Sequence, residues 1–252
     1  MKAETEPARA DTIDRPSPES PEFAAQVRTM FDRIAGVYDL MNTVMTAGMH
    51  HRWRERAAGR AELRAGDAAV DLCCGTGDLA LELARRVGPD GVVVGCDFSD
   101  PMLELARRKA AERGASQVRF ESADALELPY EEGSFDAVTV GFGVRNLVDL
   151  ERGLAEMVRV LKPGGRAVIL EITQPRRPPL SNFYSLWFDR VVPLLGALAG
   201  NRDAYTYLPE SVKRFPAPEG LAAMMAGAGL QRVRYLVVAG GIIAIHSGAK
   251  GG

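Results

Sequence analysis

Three aspartates and a glycine turn are the residues of this chain best suited to hold a small charged ligand. The apolar run AAVDLCC ends in Gly75-Thr76-Gly77, and an amphipathic stretch follows, so the turn's backbone can approach a ligand where a side chain would clash. Gly75, Gly77 and Ala80 satisfy the GxGxxG/A dinucleotide pattern, and Asp97 stands about 20 residues on, where a ribose acceptor is expected. A dinucleotide-dependent dehydrogenase is therefore one reading. The acids oppose it. Asp71 precedes the turn on the strand itself, where it would repel a pyrophosphate and favour a ligand carrying sulfonium and ammonium charge. Asp97 ends the second strand, and its two oxygens suit both hydroxyls of a ribose without phosphate. Asp124, in SADALELP, follows the third strand at the same sheet edge and can accept from an adenine amino group. Lys162-Pro163-Gly164-Gly165 turns the chain into the fifth strand. Each acid alone is equally well a helix cap or a strand-end turn residue; all three in order describe S-adenosylmethionine better than NAD.

The elements that must position these residues follow from periodicity. From Ala69 to Gly165 short apolar runs (AAVDLCC, GVVVGCDF, QVRFES, FDAVTVGF, GRAVILEI) alternate with amphipathic stretches, the pattern of parallel strands joined by crossover helices. An insertion at 174–215, rich in proline and aromatics, interrupts this before LQRVRYLVVA and GIIAIHSG restore it. The expected fold is α/β, a doubly wound, mostly parallel seven-stranded sheet with helices on both faces. Residues 23–60 show helical spacing at Val27, Met30, Phe31, Ile34 and Val37. Residues 1–22, with Pro7, Pro16, Pro18 and Pro21 and few large apolar side chains, read as a disordered tail, leaving a single domain over 23–252.

Composition narrows the partners. Over 252 residues, 31 Lys and Arg against 33 Asp and Glu give a net charge of -2, which argues against binding nucleic acid through its phosphates. Cys73, Cys74 and Cys96 form no CxxC pair, and His50, His51 and His246 show no ligand spacing for zinc, so neither a disulfide framework nor a metal is expected. No signal peptide or membrane-spanning run is visible, which suits the cytoplasm.

Two segments carry a family resemblance. YDLMNTVMTAGMHHRW (Tyr38 to Trp53) and RVLKPGGRAVILEIT (Arg159 to Thr173) resemble the two signatures of the ubiquinone/menaquinone biosynthesis C-methyltransferases, class I methyltransferases that use S-adenosylmethionine. The similarity runs from about Val27 to His246 and includes FGVRN (Phe142 to Asn146). Thr46 and Thr173 stand where the family usually has Ser, Cys73 where Gly or Ala is common, and Gly141 where Ser is frequent. The resemblance implies that Thr76 contacts the methionine part of the cofactor, Asp97 the ribose, and Asp124 with Ala125 the adenine, while Gly141 borders the sulfonium through its backbone alone. It implies methyl transfer to a ring carbon of a polyprenylated quinol, demethylmenaquinol or the corresponding benzoquinol.

A quinol carbon becomes nucleophilic as an adjacent hydroxyl loses its proton. Arg145, after the fourth strand, is the expected stabiliser of the phenolate, or else it pairs with Asp149. His50 or Asp39 is expected to relay the proton, with His50 and Trp53 alternatively one packing face, and Tyr38 completes the polar set. The apolar series Phe183, Tyr184, Leu186, Trp187, Phe188, Val191, Val192, Leu194 and Leu195 suggests a lid over an isoprenoid tail touching the inner face of a bilayer, or a homodimer contact. Another lipid or phenol acceptor, and a non-catalytic cofactor-binding scaffold, are the other readings.

Overall fold

Apolar runs become the strands of one sheet, and the intervening helices cover both its faces. The computed structural model describes residues 20–176, 178–192 and 202–252. In chain order the elements are α1 (Pro21–Thr46), α2 (Met49–Arg60), β1 (Ala68–Leu72), α3 (Asp78–Val87), β2 (Val92–Asp97), α4 (Asp100–Glu112), β3 (Val118–Ser122), β4 (Phe135–Gly141), α5 (Leu150–Val160), β5 (Leu161–Ile172), α6 (Leu180–Leu186), α7 (Arg202–Arg214), α8 (Pro218–Gly227), β6 (Leu230–Val238) and β7 (Ile243–Lys250). A π-helical turn at Trp187–Val191 extends α6, and 3-10 turns lie at Val144–Asn146 and Ala239–Gly241.

The seven strands run in the order β3-β2-β1-β4-β5-β7-β6. The first five are parallel and β7 is antiparallel to both its neighbours, the mostly parallel sheet expected. Alternate side chains of each strand enter opposite layers. Ala69 faces Trp53, Leu83 and Leu103 of α2, α3 and α4; Val70 faces Leu154 and Met157 of α5 and Leu221 and Met225 of α8. These last four are at most 1% exposed, and each contributes about 1.5–3 kcal/mol through burial. Strand order reverses between β1 and β4, so the crevice beyond their carboxyl ends is where this architecture receives ligands.

Helix α1 covers that edge. Ser20 caps it, accepting from the Phe23 amide at 3.2 Å, and Pro21 occupies the first turn, where its missing N–H costs nothing. Of the tail expected over 1–22, residues 1–19 lie outside the described residues, whereas Pro21 and Glu22 belong to this first turn. Ile34 and Ala35 are buried with Met102 of α4 and Val192, and Tyr38, Trp187 and Leu208 pack against them.

Two expectations change. β5 starts at Leu161, earlier than the run GRAVILEI, and Lys162 to Gly165 form an irregularity against β4. They sit at the amino end of the sheet, with Lys162 paired to Asp136 at 2.7 Å, so this turn has no part in the ligand crevice. Within the insertion, Tyr184 and Val192 are buried while Phe183 and Leu186 are exposed; Leu194 and Leu195 lie outside the described residues.

Candidate active site

The glycine turn is tied to β2 by its own backbone. Cys74 donates to the Cys96 carbonyl at 2.9 Å, and Gly75 donates to Asp97 Oδ2 at 2.8 Å. Gly77 has φ +81°, and a Cβ there would stand 2.8 Å from the Phe120 ring, so only glycine fits. Asp97 also accepts from the Ser99 amide at 2.9 Å. Burial raises its pKa, against the pull of these amides. Ala123 donates to the Asp97 carbonyl, which brings exposed Asp124 and half-buried Ala125 to the same edge; Asp124 Oδ1 accepts from Leu126 N at 2.8 Å. Gly141 closes β4 at this edge, and an added Cβ would meet Leu79 at 3.1 Å, so the serine frequent in the resembling family would require Leu79 to shift.

Asp71 lies beneath the turn, 1% exposed. Its Oδ1 accepts from Thr139 at 2.6 Å across β1 and β4, and Oδ2 has no hydrogen-bond partner among the described residues. Burial pushes its pKa up to about 7. Between about pH 4 and 7 the folded chain keeps a proton here that the unfolded chain has lost, so Asp71 lowers stability as pH rises through that window, by at most about 1.4 kcal/mol per unit. Asp71→Asn is therefore expected to gain stability over wild type progressively from pH 4 to 8 in urea denaturation. A gain independent of pH would show that the carboxyl is not held protonated.

Helix α1 meets the turn through a charged network. Asp39 accepts from Thr76 Oγ1 at 2.6 Å and pairs with Lys109 at 2.6 Å; Lys109 also reaches Thr76 at 2.9 Å and Asp78 at 2.8 Å. The Tyr38 ring passes over Gly75, 3.9 Å from where its Cβ would be. Asp39 is thus engaged with the turn and does not line the cavity described next, which argues against its role as a proton relay. Thr76 Oγ1 donates to Asp39 and accepts from Lys109, and one lone pair of its hydroxyl stays free.

Beyond Tyr38 an apolar cavity of about 360 Å³ opens between α1, α2, the Phe142 loop and the insertion. Its polar lining includes Tyr38, Asn42, His50, Arg54, Arg145 and Tyr207. Arg145 is held by Glu171 at 2.8 Å, by the Phe142 carbonyl at 2.5 Å and by Ser211 at 3.2 Å. Burial pulls the guanidinium pKa down, but Glu171, with Tyr207 and Tyr38 nearby, leaves it raised overall. Asp149, the alternative partner, instead caps α5, accepting from Arg152 N at 2.9 Å.

His50 is 2% exposed. Its Nδ1 accepts from Arg54, since arginine only donates, which leaves Nε2 protonated toward Thr43 Oγ1 at 3.2 Å. Burial, then Arg54, bring its pKa down to about 4. With its lone pair occupied, His50 is unsuited to accept a substrate proton, and the expected relay role gives way to orienting Arg54. His50, His51 and Asp78 also place ligand atoms within 4.8 Å of one another, a cluster their sequence spacing did not reveal. Arg54 contacts His50 and lies 3.5 Å from Asp78, and its charge opposes a metal ion there.

Arg54, Lys109 and Glu171 escape sequence reasoning because each gains its role from a contact with a distant segment. The sheet order, the glycine turn at the reversal point and the acids along its edge define a Rossmann-like protein of the methyltransferase class. Solved structures agree on the fold. A SAM-dependent methyltransferase from Aquifex aeolicus superposes with a TM-score of 0.58 at 20% identity, over 78% of this chain and 88% of that one. Another from Thermotoga maritima gives 0.58 at 21%, over 88% and 99%. The chain belongs to the ubiE/COQ5 methyltransferase family, which it matches over residues 21–250. It is 52% identical to the demethylmenaquinone methyltransferase of Thermus thermophilus, over 88% of this chain and all of that protein. It is 45% identical to that of Deinococcus radiodurans, over 99% of this chain and all of that one. Identity is 42% to a ubiquinone/menaquinone biosynthesis C-methyltransferase of Geobacter sulfurreducens, over 91% of this chain and 90% of that one.

Proposed function

We propose that this protein methylates a ring carbon of a polyprenylated quinol with S-adenosylmethionine, converting demethylmenaquinol to menaquinol. The observation that carries the reading is the buried Arg145 cation facing a cavity that is otherwise mostly apolar, in a chain whose relatives bear that activity in their names. The residues present fit the donor. Asp97 and Asp124 keep acceptor capacity at the strand edge, and the Asp71 carboxyl beneath the glycine turn has an oxygen without a partner among the described residues. When bound, S-adenosylmethionine supplies a sulfonium methyl that needs no further activation.

What remains for the chain is alignment and charge. Tyr38 borders both the glycine turn and the cavity, and so separates the donor side from the acceptor side. Arg145, fixed by Glu171 and the Phe142 carbonyl, stabilises the negative oxygen that develops as the quinol hydroxyl loses its proton. The oxidised quinone has no such proton, so the reduced form is the substrate.

The cavity mouth supports contact with a bilayer. Val44, Met49 and Phe183 line the cavity yet are 54%, 46% and 57% exposed, and Leu40 and Leu186 are exposed as well. Among the described residues no helix is long and apolar enough to cross a membrane. We place the exposed side chains of α6, Phe183 and Leu186, and the end of α1 in the interface at the inner face of the cytoplasmic membrane. Flotation with liposomes is expected to carry the protein upward; no association at either low or high salt would remove the membrane from this reading.

A further inference from the structure

Two guanidinium groups face the cavity, and the reaction described above uses only one. Arg54 comes from α2, with 7% of its surface exposed. Its Cζ lies 5.6 Å from the centre of the Phe142 ring, while Arg145 binds the carbonyl of that same residue. The two cations therefore flank Phe142 within one lining.

Their hydrogen bonds are incomplete in the same way. Among the described residues only NH1 of Arg54 has a hydrogen-bond partner, His50 Nδ1, and Asp78 balances its charge from 3.5 Å. Nε and NH2 have none, nor has NH2 of Arg145. None of these three nitrogens is among the buried atoms that lack a partner, so each stays open toward the cavity and can donate to what enters it. His50, neutral and fixed by Thr43, holds Arg54 in place rather than competing for what enters. A flat ring that carries two oxygens can meet both donor groups of this one, mostly apolar lining.

We infer that Arg54 binds the second oxygen of the quinol, across the ring from the one held by Arg145, and so makes the site specific for acceptors that carry both. The inference rests on the quinol reading above. It makes Arg54 a specificity-determining residue, and it explains why a strongly basic side chain points into an apolar cavity.

The test is binding, measured anaerobically by calorimetry with S-adenosylhomocysteine present, of 1,4-dihydroxynaphthalene against 1-naphthol. Wild type is expected to prefer the diol by about 10-fold or more, the worth of one hydrogen bond to a charged group. Arg54→Met is expected to bring the two ligands level by weakening the diol alone. Arg54→Lys, which keeps the charge beside Asp78, serves as the variant with an undisturbed fold and is expected to retain part of the preference. An equal affinity of wild type for both ligands, or a preference unchanged in both variants, would overturn the inference. Methyl transfer plays no part in this readout, so absence of turnover with the diol preference intact would count against the proposed reaction and not against Arg54.

Discussion

Arg145→Met is expected to lower methyl transfer about 100- to 1000-fold, the loss that follows removal of one preorganised donor from a developing oxyanion, while leaving S-adenosylmethionine affinity near that of wild type. The separation follows from placement: Arg145 lines the acceptor cavity, whereas Asp97, Asp124 and the glycine turn lie at the strand edge beyond Tyr38. Single replacement also strands Glu171, a 1% exposed carboxylate, at about 3–5 kcal/mol. The double variant Arg145→Met/Glu171→Leu removes both charges and is expected to recover most of that stability while staying inactive. Turnover, cofactor affinity by calorimetry and thermal unfolding on the two variants separate the roles. Parallel loss of turnover and cofactor affinity in the stable double variant would make Arg145 a structural residue.

Gly77→Ala is expected to have the opposite signature, loss of the cofactor before loss of anything at the acceptor. A left-handed backbone costs a non-glycine residue about 1–2 kcal/mol. The new methyl would lie 2.8 Å from the Phe120 ring and 3.0 Å from Ala106 Cβ, adding about 1–3 kcal/mol of overpacking. The turn must then move away from Asp97, breaking the Gly75 hydrogen bond that fixes it. An increase in cofactor Kd of about 10-fold or more is expected, given that this displacement costs at least one charge-assisted hydrogen bond. Phe120→Leu added to Gly77→Ala relieves the packing and not the backbone strain, so part of the lost stability should return. Unchanged cofactor affinity in Gly77→Ala would mean that the turn is not the cofactor cradle.

The strands were legible because buried parallel strands are written as apolar runs, and β1, β2 and β4 need little else. The glycine turn was legible for a related reason: φ values and close contacts that exclude every other residue leave glycine in the sequence. Roles that depend on two distant segments were not. Lys109 looks like one more solvated charge on α4 until α1 brings Asp39 to it. Glu171 looks like a polar residue ending β5, and local spacing offers Asp149 to Arg145 instead. His50 illustrates the converse. Its residue type suggests proton transfer, but the Arg54 hydrogen bond that occupies its lone pair can be seen only once α2 is folded.

The most direct test of the proposed reaction is methyl transfer from labelled S-adenosylmethionine to demethylmenaquinone, with and without dithionite, followed by the mass of the product. A singly methylated quinone formed only under reduction is the expected result. Product formed equally from the oxidised quinone would contradict the phenolate chemistry assigned to Arg145, and no product under reduction, with the cofactor bound, would contradict the proposed acceptor.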